Sequence, residues 1–441
     1  MTASWVRHAI WWQVYPLGFV GAFPGPTGSE LSDLGEHRLR RLVYWFDHAI
    51  ALGASGIALG PVFASRTHGY DTTDHYRIDP RLGDDADFDY LVAEARRRGL
   101  RVLLDGVFNH VGVDFPKYRE APNNSAAARW FRGRPGRCPA SFDTFEGHSE
   151  LITLNHDNPE VVDYVVDVMA HWLRRGADGW RLDAAYTVPQ QFWAAALPKV
   201  HELYPDAWVV GELIHGDYAA VVDAARFDSA TQYELWKAIW SSLNDGNFFE
   251  LDWALQRHNA FLAGFAPLTF IGNHDVTRIA SRLEQPDHLA HALVILLTVG
   301  GVPSVYAGDE LGFRGVKEER YGGDDAVRPE FGSPPAQLDA FGAEVLALHQ
   351  YLIGLRRRHP WLHAAATTAL RLDNQHYVYE TRSGDDTLLV ALNIDDEPLQ
   401  LVLSELGTAR AEVVAGSAAP PREVVDEVVV ESHGWRILKP V

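Results

Sequence analysis

Short apolar runs alternate along the chain with stretches whose apolar residues recur every three or four positions. The runs cover 10–15, 56–60, 101–107, 179–183, 207–212, 226–230, 268–272 and 302–307. They read as buried parallel strands, because a strand covered on both faces loses the polar alternation of a half-exposed one. Helical spacing marks 37–52, 88–98, 161–175, 190–203, 289–299 and 340–359. The segment FDYLVAEARRR is representative: apolar positions at helical spacing, a basic last turn, and Gly99 as the stop signal. Strand–helix alternation implies a parallel α/β sheet. With eight strands, closure into a (β/α)8 TIM barrel is the natural solution. A doubly wound open sheet is the alternative, and it would place a site at one crevice instead of around a ring.

The regularity breaks twice. After the third strand comes a Pro-, Gly- and Arg-rich stretch (PNNSAAARWFRGRPGRCPASF), too long for an ordinary turn. It predicts a small subdomain at 111–155, inserted into a catalytic barrel made of 1–110 and 156–360. From about Trp361 the pattern becomes short alternating β segments (HYVYETRSGDDTLLVALNI, LQLVLSEL, AEVVAG, EVVVES, WRILKPV). They predict a C-terminal antiparallel β-sandwich domain at 361–441.

The 441 residues carry 39 Lys+Arg against 59 Asp+Glu, a net charge of −20. Such a surface repels phosphate backbones and anionic lipid, which argues against nucleic-acid and membrane partners and fits a neutral substrate. No stretch approaches the ~20 apolar residues of a membrane span. The opening MTASWVRHAIWWQVYP has no signal-peptide pattern, and the single Cys138 cannot form an internal disulfide. Cytoplasmic residence is the resulting expectation.

Candidate chemistry sits where strands end, at the carboxyl rim that carries the working residues of such barrels. The third strand ends LLDGVFNH (Asp105, Asn109, His110), the fourth GWRLD (Arg181, Asp183), the fifth VVGE (Glu212) and the seventh FIGNHD (His274, Asp275). A single Asp or Glu at a strand end is more often a helix cap or a surface charge. Carboxylates from several strand ends directed at one mouth are a different matter. Glycoside cleavage develops positive charge at an anomeric carbon, so it needs one carboxylate to attack or stabilise that carbon and one carboxyl to protonate the leaving oxygen. Arg181 lies two residues before Asp183, on the same strand face. This pairing favours an ionised Asp183, a nucleophile, whereas Glu212, beside apolar Val209, Val210 and Leu213, suits the acid.

DGVFNH, GWRLDAA, VVGE and FIGNHD, in this order and spacing, resemble the four signature regions of the α-amylase superfamily of retaining glycoside hydrolases and transglycosylases. WWQVYPLGF, GYDTTDHYRIDPRLG (69–83) and GGVPSVYAGDELG (300–312) extend the resemblance over nearly the whole chain. The resemblance implies Asp183 as the residue forming a covalent glycosyl-enzyme, Glu212 as acid then base, and Asp275 as stabiliser of the distorted transition state. It implies that His110, Arg181 and His274 bind the sugar on the non-reducing side of the cut, with Tyr70 stacked beneath it. Arg328, in GGDDAVRP, resembles an arginine near this subsite in oligosaccharide-acting members, with Asp324 as its companion, and a solvated loop charge is the equal alternative for both.

The stretch LNHDNPEVVDYVVDVMAHWLRRGADGWRLDAA is similar to the neopullulanase and cyclomaltodextrinase branch, although Ala185–Tyr186 stand where that branch carries an acidic residue. The implied activity is hydrolysis, with retention, of mainly α-1,4 bonds in maltooligosaccharides or related small α-glucans. A transglycosylase or isomerase using the same intermediate is the alternative, and a non-catalytic carbohydrate-binding relative the third reading. Asn109 matches a position that holds structural calcium in many α-amylases, but the acidic calcium loop of some relatives is missing from GFVGAFPGPTG, and no cofactor or metal is expected to be required.

Overall fold

The computed structural model describes residues 3–22, 37–133, 142–320, 322–335, 337–417 and 423–441. Cys138, the 134–141 part of the expected insertion and the end of GFVGAFPGPTG lie outside the described residues. The chain divides into two compact units, residues 1–231 with 328–337 and residues 232–327 with 338–441.

Six of the expected strands belong to the first unit: β1 (Trp11–Val14), β2 (Gly56–Leu59), β3 (Arg101–Gly106), β4 (Gly179–Leu182), β5 (Trp208–Gly211) and β6 (Ser229–Ala230). They form a parallel run in the order β6-β5-β4-β3-β2-β1. β4 and β5 are buried at every position, as continuous apolar runs require. A Cβ on Gly179 would lie 2.1 Å from the Trp208 carbonyl oxygen, so glycine permits this close approach of β4 to β5. At the amino ends of β1 and β5, Trp11 stacks on Trp208 (5.8 Å, 9°) with Trp5 edge-on to both. Those large aromatic surfaces fill the strand starts and leave polar chemistry to the opposite ends.

The second unit supplies β7 (Leu268–Phe270) and β8 (Val302–Tyr306), parallel to each other. Eight parallel strands alternating with helices, followed by an antiparallel β domain, make this the (β/α)8 barrel class the pattern predicts. After the long helix Ala340–Arg358, an antiparallel sheet runs in the order Ala366–Leu372, His376–Ser383, Asp386–Asn393, Trp435–Pro440, Ala411–Gly416, Val424–Val425. The separate pair Leu399–Val402 and Glu427–Val430 contributes Leu399, Leu401 and Val430 to a core shared with Val378 and Ala391.

Several boundaries differ from the periodicity for identifiable reasons. The helix expected at 88–98 is Asp85–Arg97, because a reciprocal capping box between Asp84 and Asp87 starts it earlier. β6 is shorter than 226–230, because Arg226 is the left-handed C-cap (φ 65°) of the helix Tyr218–Ala225. The stretch 37–52 is a 3₁₀ segment, Arg38–Trp45, running into the α-helix Phe46–Leu52. Among the described residues, three helices of eight or more residues do not show in the pattern: Tyr218–Ala225, Tyr233–Asp245 and Phe248–Leu262. Between β3 and β4, His110–Gly112 pairs antiparallel with Leu151–Thr153, and the short helices Pro116–Glu120 and Ser125–Ala128 lie between them.

Buried histidines give the fold a defined pH response. His75, His258 and His291 are fully enclosed, and burial, only partly opposed by hydrogen bonds to backbone carbonyls, lowers each pKa to about 4. His291 Nε2 lies 3.0 Å from the carbonyls of both Asn393 and Gly434, joining the helix Leu289–Thr298 to the terminal sheet. Each ring is neutral when folded and takes up a proton when exposed, so the unfolded state binds more protons below the ordinary pKa. Stability is therefore full above about pH 6.5 and falls as pH drops toward 4, by about 3 kcal/mol for each ring. Urea unfolding followed across this range should show the midpoint falling with pH and a shallower slope in His291→Gln; a midpoint independent of pH would refute the assignment.

Candidate active site

Strand register brings the first unit's polar side chains together. Asp105 on β3 is the direct neighbour of Arg181 on β4, and Arg181 of Val210 on β5. Asp183 and Glu212 each lie two residues beyond a member of that row. The period of two therefore sends Asp105, Arg181, Asp183 and Glu212 to the same face. The ladder continues past the strand ends, with the Asp183 N–H donating to Gly106 O and the Glu212 N–H to Leu182 O, both at 3.0 Å.

One guanidinium joins all three carboxylates. Arg181 Nη1 donates to both oxygens of Asp105 at 2.8 Å and to Asp183 Oδ1 at 3.2 Å. Arg181 Nη2 donates to Glu212 Oε1 at 2.6 Å. All four residues are buried. Burial works against the charge on Arg181, but Asp105 and Glu212, followed by Tyr70 and Asp183, more than offset it and hold its pKa well above the ordinary value. The expectation that Arg181 serves Asp183 while Glu212 sits in apolar surroundings needs correction. Arg181 is closer to Glu212 than to Asp183, and the other oxygen of Glu212 accepts the Ala184 backbone N–H at 2.7 Å. Val209, Val210 and Leu213 are buried as expected, but the polar contacts of Glu212 come from Arg181 and Ala184.

Ala184 makes that last contact from a left-handed conformation (φ 47°, ψ 32°). Such a backbone costs a non-glycine residue about 1 kcal/mol or more. The turn continues so that the Tyr186 N–H donates to the Glu212 carbonyl at 3.1 Å. Asp183 and Glu212 are thus tied together through the backbone as well as through Arg181.

Tyr70 and His110 belong to the same cluster. The Tyr70 hydroxyl donates to Asp105 Oδ2 at 3.3 Å, and His110 Nε2 lies 3.1 Å from the Tyr70 carbonyl. The other nitrogen of His110 accepts from the Asn109 amide at 3.1 Å. Burial lowers the His110 pKa to about 3, so the ring is neutral and both nitrogens are committed to the protein. Arg328, also in the first unit, is buried with its guanidinium 4.7 Å from the Tyr15 ring centroid, which removes the solvated-loop alternative for this residue.

His274, Asp275 and Asp324 belong to the second unit. There His274 Nε2 lies 3.1 Å from Asp275 Oδ2, and the Asp275 N–H donates to Asn273 Oδ1 at 2.8 Å. Asp324 is half-buried and faces Lys317 at 3.5 Å. Sequence reasoning placed Asp105 at a strand end without giving it a part. Its signal was register, since it is the cross-strand neighbour of Arg181. The Ala184 N–H carries no side-chain signal at all.

Comparison with known proteins adds to this geometry. The catalytic-domain profile described as "Alpha amylase, catalytic domain" matches residues 44–345. A cyclomaltodextrinase of Geobacillus thermopakistaniensis (strain MAS1) is 29% identical over 426 residues, covering 90% of this chain and 71% of that relative. An intracellular maltogenic amylase of Bacillus subtilis (strain 168) is 30% identical over 335 residues, 71% of this chain and 57% of the relative. Among solved structures, the ligand-free cyclic alpha-maltosyl-(1-->6)-maltose hydrolase of Arthrobacter globiformis superposes with a TM-score of 0.82 at 26% identity, covering 99% of this chain and 100% of that one.

Removing the shared cation should be costly. Arg181→Met leaves three buried carboxylates without their partner, and the unfolding free energy should fall by about 3–5 kcal/mol. Arg181→Lys, a point charge that cannot fork, should recover only part of the loss. Denaturant titration of both variants measures this, and unchanged stability in Arg181→Met would contradict it.

Proposed function

Because the chain belongs to the α-amylase family, we propose that it is a glycoside hydrolase cleaving mainly α-1,4 bonds in maltooligosaccharides or related small α-glucans, with retention. The observation that carries this reading is the bridging of Asp183 and Glu212 by one buried guanidinium. A retaining enzyme needs its two carboxyl groups about 5 Å apart, one for each face of the scissile bond. Two side chains held by the same planar fork meet that requirement better than side chains in separate pockets.

In this reading Asp183 attacks the anomeric carbon and forms the covalent glycosyl-enzyme. Glu212 delivers a proton to the leaving oxygen and then removes one from water. Arg181 keeps Asp183 oriented and balances part of the local negative charge. Asp105 holds Arg181, and Tyr70, hydrogen-bonded to Asp105, offers an aromatic face to the sugar. His110 keeps Tyr70 in place through its backbone carbonyl. By their sequence motifs, Asp275 is assigned the stabilisation of the oxocarbenium-like transition state and His274 a sugar contact, with Arg328 and Asp324 as further substrate residues.

The catalytic barrel is assigned to 1–110 and 156–360, the insertion to 111–155 and a terminal β domain to 361–441. Small α-glucans are favoured as substrates by the names of the cyclomaltodextrinase and maltogenic amylase relatives. The relative named as intracellular supports a cytoplasmic enzyme, and among the described residues no helix is long and apolar enough to cross a membrane.

Two measurements test the mechanism. NMR of fresh maltotriose digests should show the newly formed reducing end first as the α anomer; initial β anomer means inversion and ends the double-displacement reading. Asp183→Ala should lower kcat by about 10⁴-fold or more, with the fold retained. Undiminished turnover in that variant would remove Asp183 from the role of nucleophile.

A further inference from the structure

The turn Phe145–Gly147, within the segment between β3 and β4, reaches the site at two points. Phe145 lies nearly parallel to His110, with ring centroids 4.7 Å apart and planes 18° apart. The next residue, Glu146, accepts a hydrogen bond from the Tyr186 hydroxyl at 2.8 Å. Glu146 is exposed and occupies the left-handed region (φ 48°, ψ 29°), where only glycine is comfortable. A strained, exposed carboxylate held beside a reaction centre calls for a reason beyond packing.

Tyr186 connects this carboxylate to the catalytic pair. It follows Asp183 by three residues, and its backbone N–H is bonded to the carbonyl of Glu212. His215, three residues after Glu212, lies 6.1 Å away, ring centroid to ring centroid. Burial, followed by the hydrogen bond to Glu146 and the charges of Glu146, Glu212 and Asp183, raises the pKa of Tyr186 far above its ordinary value, so the hydroxyl stays a donor. Tyr186 is half-buried.

Resting on the hydrolase reading above, we infer that Tyr186 and Glu146 form the site for the departing glucosyl unit, and equally for a sugar that replaces water as acceptor. The general acid meets the leaving oxygen, so the departing sugar must lie beside Glu212, where the backbone anchors Tyr186. A phenol oxygen and a carboxylate that can each accept from a sugar hydroxyl, beside an aromatic ring, match neighbouring hydroxyls on a glucose ring and its apolar carbon surface. The other flank, with Tyr70, Asp105 and His110, serves the sugar that becomes covalently attached. Neither Tyr186 nor Glu146 takes part in bond making. They bind, and their effect falls only on substrates that present a sugar on the departing side.

That property separates binding from a merely structural role. Maltotriose needs the departing-side site; α-maltosyl fluoride carries the same attached disaccharide but loses only fluoride. In Tyr186→Phe and in Glu146→Gln, kcat/KM for maltotriose should fall about tenfold, as for loss of one hydrogen bond to a charged group. The fall for α-maltosyl fluoride should be several-fold smaller, and the fraction of transfer products from concentrated maltotriose should decline. Equal losses on both substrates, or no loss on either, overturn the inference. Glu146→Gln alters only an exposed turn, so it keeps the test valid if Tyr186→Phe folds poorly. An unsubstituted enzyme that cleaves neither substrate refutes the hydrolase reading itself, a failure visible before any variant is made.

Discussion

A buried guanidinium shared by three carboxylates is the constraint around which the first unit is organised. Asp105, Asp183 and Glu212 come from three consecutive barrel strands, and Arg181 donates to each of them. Three carboxyl groups share a single cation, so the cluster retains excess negative charge even while one of them carries a proton, which is unfavourable in a buried site. That same excess suits a reaction whose transition state is positively charged at carbon, because the stabilising charge is in place before the substrate arrives. The tryptophans at the strand starts serve the same end. By filling the opposite mouth with apolar surface, they leave the carboxyl ends of the strands as the place where polar groups can converge.

Much of this was legible because strands have a period of two and helices a period near 3.6. All eight strand positions follow from apolar runs, and the same-face placement of Arg181 and Asp183 follows from counting. The environment of Glu212 was not legible in that way. Its neighbours in sequence are apolar, yet its polar neighbours in space come from β4 and the turn after it: the Arg181 side chain and the Ala184 N–H. A residue's neighbours along its own strand do not reveal what the adjoining strand brings to it, and Arg181 reaches Glu212 across the β4–β5 pairing. Helices were missed for a related reason. Phe248–Leu262 exposes Phe249 and Trp253 to solvent, which blurs the contrast between its two sides.

The segment between β3 and β4 was read as an interruption of the barrel, and its composition gives no hint of chemistry. Its contribution arises from a short ladder, His110–Gly112 with Leu151–Thr153, that returns the chain to the end of β3. Because His110 both starts that ladder and stacks on Phe145, the turn carrying Glu146 is fixed relative to the site from two directions. Loops mounted on a rigid frame can diverge while the frame is kept, which is how this fold class varies what its strand-end sites do.

Left-handed non-glycine residues sharpen the point. Four occur among the described residues: Glu146, Ala184, Arg226 and His433. Arg226 closes a helix, an ordinary use of that conformation. Ala184 and Glu146 instead each direct a polar group at a side chain of the buried cluster or its border, a backbone N–H onto Glu212 and a carboxylate onto Tyr186. Glycine would adopt either conformation with less strain, but it would also leave both chains free to relax away from it. A side chain that is disfavoured locally and held by its surroundings gives a single orientation, since buried Ala184 has no room to rotate its peptide without losing the contact. The strain at these two positions is therefore best understood as the local cost of a fixed donor on Glu212 and a fixed acceptor on Tyr186.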